Sequence, residues 1–302
     1  MTPNLKQRAQ RFLRWIFLAG WLLASTGTLA HEVYWSISDE NGHAGYLLGT
    51  IHSEDPRVLE FTPEFLQQLK ACDRFAMELV PDAATLQALA ELTQLPGSRN
   101  LRQLLGTPRF NAVLKALAPH GVERAQAMRL KPWAAMMTLS LPPPETGLFL
   151  DFALSLRAAG AGATVHSLET LDQQLAFLEE LSLPQQLELL DQALAEAEAV
   201  EPVHRAMVDT YLNEDLATLL RVSREQMASL SPALRDWFQQ QGIDLRNQRM
   251  AQSARELLDQ ECTFIAVGAL HLPGPQGLLA LLRGQGFELQ QLASPFVAVR
   301  EP

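Results

Sequence analysis

Residues 46–56 read YLLGTIHSEDP, and residues 264–277 repeat the same grammar as FIAVGALHLPGPQG. In each, an apolar run stops at a glycine (Gly49, Gly268), and a histidine follows three residues on (His52, His271). Short apolar runs punctuated by glycine read as buried strands, so each imidazole is expected just past a strand's carboxyl end. The chain has 17 glycines and 7 histidines in 302 residues, so chance would place a glycine three positions ahead of only about 0.4 histidines. Two such pairs in one context therefore point to a shared role.

Working outward from these strands gives the fold. Residues 32–49 read as a hairpin closed by Asp39-Glu40-Asn41-Gly42. Thr62 and Pro63 open a helix to about Ala71, and Arg74–Leu79 is a further strand carrying Glu78. After β-strand 263–268, Pro275 opens a helix that ends at Gly284, and Phe287–Leu292 is a strand. That unit must cross over, which makes its strands parallel. Between the two ends, residues 82–260 have mostly helical spacing, interrupted by one strand at 163–167 and by a stiff PPP break at 142–144. The expectation is an α/β fold: a mixed, partly parallel sheet built from both chain ends (31–81 and 261–302), with a large helical insertion (about 82–260) over the strand carboxyl ends. Ligands of open α/β sheets sit outside those ends.

Composition narrows the class. With 47% hydrophobic and 19% charged residues, the chain reads as an ordered globular protein. Lys6, Arg8, Arg11 and Arg14 precede the apolar run Trp15–Ala24 and the small-residue stretch Thr28-Leu29-Ala30, the pattern of a secretory signal cleaved after Ala30. An uncleaved N-terminal anchor is the alternative. Removing residues 1–30 takes away four basic side chains and leaves 20 basic against 34 acidic, a net of −14. An acidic chain without a basic stripe is a poor nucleic-acid binder, and no later apolar run reaches spanning length. The mature domain, 31–302, is expected to be periplasmic or secreted, with its oligomeric state left open. Cys72 and Cys262 lack CxxC spacing, which excludes a zinc ribbon or thioredoxin motif. Each lies just ahead of an apolar strand, so an exported protein has either a disulfide or two buried thiols here.

Two imidazoles and one carboxylate at strand ends are the ingredients of a divalent metal site, suited to Zn, Mn, Co or Fe. His52, His271 and Glu78 are the candidate ligands, with Glu78 either a ligand or the general base on a bound water. The glycines at 49 and 268 allow close backbone approach. Structural histidines at two turns are the plain alternative. On helix 243–260, Arg246 and Asn247 fall on the apolar stripe with Met250 and Ala254. A guanidinium there should face an anion, namely Glu78, a substrate oxyanion or a phosphate, unless it snorkels over the core edge. Glu169 is expected to cap the helix that begins near Thr170. His31, His43, His120, His166 and His204 read as surface or loop residues, and Met128–Met137 with Trp133 as core.

The motifs GTIH (49–52), Glu78 in MELV, KPW (131–133), SLETLDQQL (167–175), RNQRM (246–250) and VGALHLPGPQGLLALLRGQGF (267–287) together resemble the TraB/GumN family, over about 32–292. That family is related to the Tiki proteases and to erythromycin esterase-like and ChaN-like proteins. The resemblance implies an erythromycin esterase/ChaN-like α/β core and, by similarity to the Tiki branch, a peptidase using Mn, Co or Zn. It places His52, His271 and Glu78 at the centre, Gly49, Gly268 and Glu169 in supporting motifs, and Arg246 with Asn247 in the family's RN pair. The substrate would be a peptide or related small molecule. A haem-like ligand binder and a non-catalytic accessory factor of envelope polysaccharide production are the alternatives.

Overall fold

A computed structural model of the protein describes residues 32–297 except 41 and 43. The signal-like segment 1–30, His31 and His43 lie outside the described residues. Six strands form one sheet, β1 (Tyr34–Ser38), β2 (Ala44–Thr50), β3 (Arg74–Met77), β4 (Thr164–Ser167), β5 (Thr263–Gly268) and β6 (Glu288–Gln291). Their order is β4-β3-β5-β2-β1-β6. The neighbours β4, β3, β5 and β2 are parallel, while β1 runs antiparallel to both β2 and β6.

The apolar runs explain the middle of the sheet. β5 (TFIAVG) is buried along nearly its whole length, as a parallel strand covered on both faces must be. The edge strand β6 (ELQQ) is mostly exposed and carries polar side chains that blunt it. It runs in the direction of β5 but pairs with β1 on the far side of β2, so the crossover passes two strands before rejoining the sheet. Its helix is Leu278–Gly284 rather than one opening at Pro275. The carbonyl of Gln276 is taken by Asn247 Nδ2 at 2.7 Å. Gly277 fits only as glycine there, because a Cβ would lie 2.3 Å from the Leu272 and Pro273 carbonyl oxygens.

The four parallel strands end at one edge of the sheet. The Sγ atoms of Cys72 and Cys262, at the opposite ends of β3 and β5, are 2.01 Å apart in a disulfide. The helical insertion divides into two cores. Helices Leu150–Gly160, Val200–Leu212, Leu216–Gln226 and Leu245–Leu258 contribute buried side chains to the sheet core. Helices Thr107–Leu117, Pro132–Leu139, Leu171–Glu179 and Leu183–Glu196 bury a second core around Trp133, Phe110 and Leu190. Lys131 Nζ and Trp133 Nε1 both donate to Glu179, at 2.7 and 2.6 Å, so the KPW motif is an anchor of that second core. Among the described residues no helix is long and apolar enough to cross a membrane.

Candidate functional site

The order of strand tips fixes which side chains can meet. Across the edge run β4, β3, β5 and β2, and just beyond them stand Glu169, Glu78, His271 and His52 respectively. Neighbouring strands lie about 4.8 Å apart, so β5 separates Glu78 from His52 by two strand spacings. His271 occupies the middle.

Glu78 sits one residue past β3. Its Oε1 accepts from the Gly268 amide at 2.7 Å, and its Oε2 accepts from Arg246 Nη2 at 2.7 Å and Gln174 Nε2 at 3.3 Å. Burial opposes its ionisation, but neighbouring His271 and Arg246, with the Gly268 amide, outweigh burial and hold the carboxyl at about 2. Arg246 is buried on the stripe of helix Leu245–Leu258 with Asn247, Met250, Ala251 and Ala254. Its Nε and Nη2 donate to Glu169, and Nη1 reaches the Gly242 carbonyl at 3.4 Å. That carbonyl belongs to a π-helical segment, Phe238–Asp244, directly before the helix. These bonds turn Arg246 onto Glu78 and Glu169. It anchors Glu78.

Glu169 is not a helix cap. Thr170 takes that place in a capping box with Gln173, and the Glu169 side chain turns inward onto Arg246. Burial pushes its carboxyl up, against the pull of Arg246.

Asn247 sets the state of His271. Its Nδ2 donates to the Gln276 carbonyl, so its Oδ1 is the atom facing His271 Nδ1 at 2.6 Å. His271 Nδ1 therefore carries the proton, and Nε2 presents its lone pair 3.7 Å from Glu78 Oε1. Burial lowers the His271 pKa, with Glu78 pulling upward and Arg246 adding to the lowering, so the ring is neutral at pH 7.

His52 is the most exposed of the set and stacks on Phe149 with ring centroids 3.7 Å apart. Its Nδ1 is 3.6 Å from Asp151 Oδ2, within ion-pair reach but longer than a hydrogen bond. The loop after the PPP run holds these two residues in place. Glu54 accepts from Thr146 N and Gly147 N at 2.6 and 3.1 Å, and Leu150 N donates to the Ser53 carbonyl at 3.0 Å. Two cavity residues have roles that sequence reading did not assign. His204, expected at the surface, has Nε2 at 3.0 Å from the His52 carbonyl. Buried Tyr211 donates its hydroxyl to the Gly49 carbonyl at 2.7 Å. A cavity of about 600 Å³ joins these parts, with Thr50, His52, His204, Gly268 and His271 in its wall.

The donor chemistry fits a cation at one point. A neutral Nε2 and an ionised Oε1 lie 3.7 Å apart, and two acceptors so placed call for positive charge between them. His52 lines the same cavity, but its ring is stacked on Phe149 with Asp151 beside Nδ1. Among the described residues no group of three or more His, Cys, Asp or Glu side chains is close enough to hold a metal ion. The structure thus brings Glu78 and His271 together and leaves His52 outside that pair.

The TraB/PrgY/gumN family pattern matches residues 33–291. The chain belongs to that family. Among curated proteins, this TraB/PrgY/gumN member is similar to metalloprotease TIKI1 of Danio rerio, 25% identical over 299 residues, covering 81% of this chain and 60% of the relative. It is also similar to metalloprotease TIKI2 of Xenopus tropicalis, 24% identical over 301 residues, covering 81% of this chain and 57% of the relative. The match spans about three fifths of these relatives' length. No solved structure matches it significantly.

Proposed function

We propose that this protein is an exported, metal-dependent hydrolase acting on a peptide or related amide. The observation that carries the reading is the pair of unprotonated acceptors, His271 Nε2 and Glu78 Oε1, 3.7 Å apart, with His271 in the cavity wall. Its distant likeness to proteins named metalloprotease agrees with it. Glu78 and His271 would hold a divalent ion, Mn, Co or Zn, with His52 as a further donor from the same cavity; such an ion supplies Lewis acidity and lowers the pKa of bound water. The chain's own groups prepare the site. Asn247 fixes the imidazole tautomer, and Arg246, supported by Glu169, keeps Glu78 charged and aimed. Arg246 and the Gly268 amide keep Glu78 ionised, the state in which a carboxylate binds a metal ion.

The test is cleavage of a mixed peptide library by the purified full chain. Turnover should need added Mn, Co or Zn, stop with chelator, and vanish in Glu78→Gln and His271→Ala. Cleavage that is indifferent to chelator, or undiminished in His271→Ala, would refute the reading.

A further inference from the structure

The cavity is much larger than a metal-bound water and a scissile bond require. At about 600 Å³ it is the size of pockets that enclose whole small ligands. Thr50, His52, Gly268 and His271 form the part of its wall at the strand tips. Most of the remaining wall comes from helices of both cores and is apolar, including Leu139, Leu189, Val203, Met207, Leu230 and Phe238. The polar wall residues Gln192 and Glu196 are tied together, as Gln192 Nε2 donates to Glu196 Oε1 at 3.1 Å and to the Gln226 carbonyl at 2.5 Å. No lysine or arginine is among the lining residues. Nearby Arg246 is occupied by Glu78 and Glu169.

These features select an occupant by charge and shape. An acidic side chain or a fatty-acid carboxylate would meet no lysine or arginine in this wall and would face the Glu196 carboxylate there. A neutral amide flanked by apolar side chains meets no such penalty. Met207 and the further lining residues Met136 and Met227 are unbranched and adaptable, which suits a class of side chains over a single one. We infer that this cavity is a specificity pocket for the apolar side chains of a peptide, such as Leu, Met or Phe, next to the amide presented at Glu78 and His271. The inference rests on the hydrolase reading for its substrate class, and binding separates the two.

The experiment measures binding of blocked tetrapeptide amides, differing only in one residue, to the full chain in chelator, so that nothing is turned over. Leu and Phe peptides should bind about tenfold or more tighter than Ala, and Asp peptides weaker still. Val203 is half-buried on helix Val200–Leu212, and Val203→Trp should place an indole in the cavity and remove the Leu-over-Ala increment while the unfolding midpoint is kept. If that variant does not fold, Ala199→Trp, at an exposed lining position, is expected to give the same loss. Equal binding across the series, an increment untouched in a folded blocking variant, or displacement of the Leu peptide by an equimolar fatty acid would overturn the inference. Apolar preference without cleavage in Mn, Co or Zn would leave it standing and remove the hydrolase reading. Cleavage without apolar preference would do the reverse.

Discussion

Asn247 decides which nitrogen of His271 is free. Replacing it by Leu removes the acceptor at Nδ1 and lets the ring change tautomer or turn. Partners of ligating histidines typically carry tenfold to a hundredfold in metal affinity, so Asn247→Leu should weaken metal retention by about that factor in a competition titration. Unchanged affinity would show that the Nδ1 contact does not set the ligand. Arg246 carries a different load. Arg246→Met leaves Glu78 and Glu169 without their shared cation, and breaking a buried charge cluster in this way costs about 3–5 kcal/mol, measurable by urea unfolding. Both residues were legible in the sequence because a polar side chain on an apolar helical stripe has to meet a partner. Glu169 was not, since the Thr170–Gln173 capping box beside it supplies a sufficient local explanation for the acid. His204 was hidden for another reason. Its partner is the His52 carbonyl 152 positions away, and no periodicity records that contact.

At the scale of elements, the two GxxH turns look alike in sequence and differ in packing. A Cβ on Gly49 would come within 2.6 Å of Leu272 Cδ1 and 3.0 Å of Ala269 Cα, where the exit of β2 presses on the 3-10 turn Ala269–His271. On Gly268 it would meet Glu78 Oε1 at 3.2 Å and His271 Cδ2 at 3.5 Å, both side-chain atoms of the site. Gly49→Ala should therefore lower global stability, by about 1–3 kcal/mol as overpacking does, while Gly268→Ala should mainly displace the carboxylate and reduce metal binding. Denaturation curves and metal titrations on both variants check the division, and equal stability losses would contradict it. The strands and most long helices were readable from period and punctuation. The short helices Pro56–Leu59, Leu101–Leu105, Arg124–Arg129 and Pro232–Trp237 lack enough turns for periodicity to register. The π-helical turn before Arg246, where Gly242 lies against the Phe177 ring, leaves no mark in the residue pattern.

For the whole molecule, the common exit edge of the parallel strands was legible, since each apolar run stops just before a chemistry-bearing residue. Their lateral order was not. Nothing local in β2, β3 or β5 says that β5 lies between the others, and that placement is what seats His271 between Glu78 and His52. The disulfide closes a separation of 190 residues beneath β3 and β5. In the chain-entropy picture a loop of that length is worth about 5 kcal/mol, so Cys72→Ala with Cys262→Ala should lose stability on that scale while keeping metal affinity. Equal unfolding midpoints in oxidised and reduced wild type would contradict the bridge's role. The central claim is that Glu78 and His271 share a cation. Elemental analysis of the full chain, purified without a metal-binding tag, tests it most directly. A stoichiometric divalent transition metal in the wild type, lost in His271→Ala, is the result predicted; a wild type that holds none and takes none up on titration, or a His271→Ala variant with undiminished metal, would contradict it.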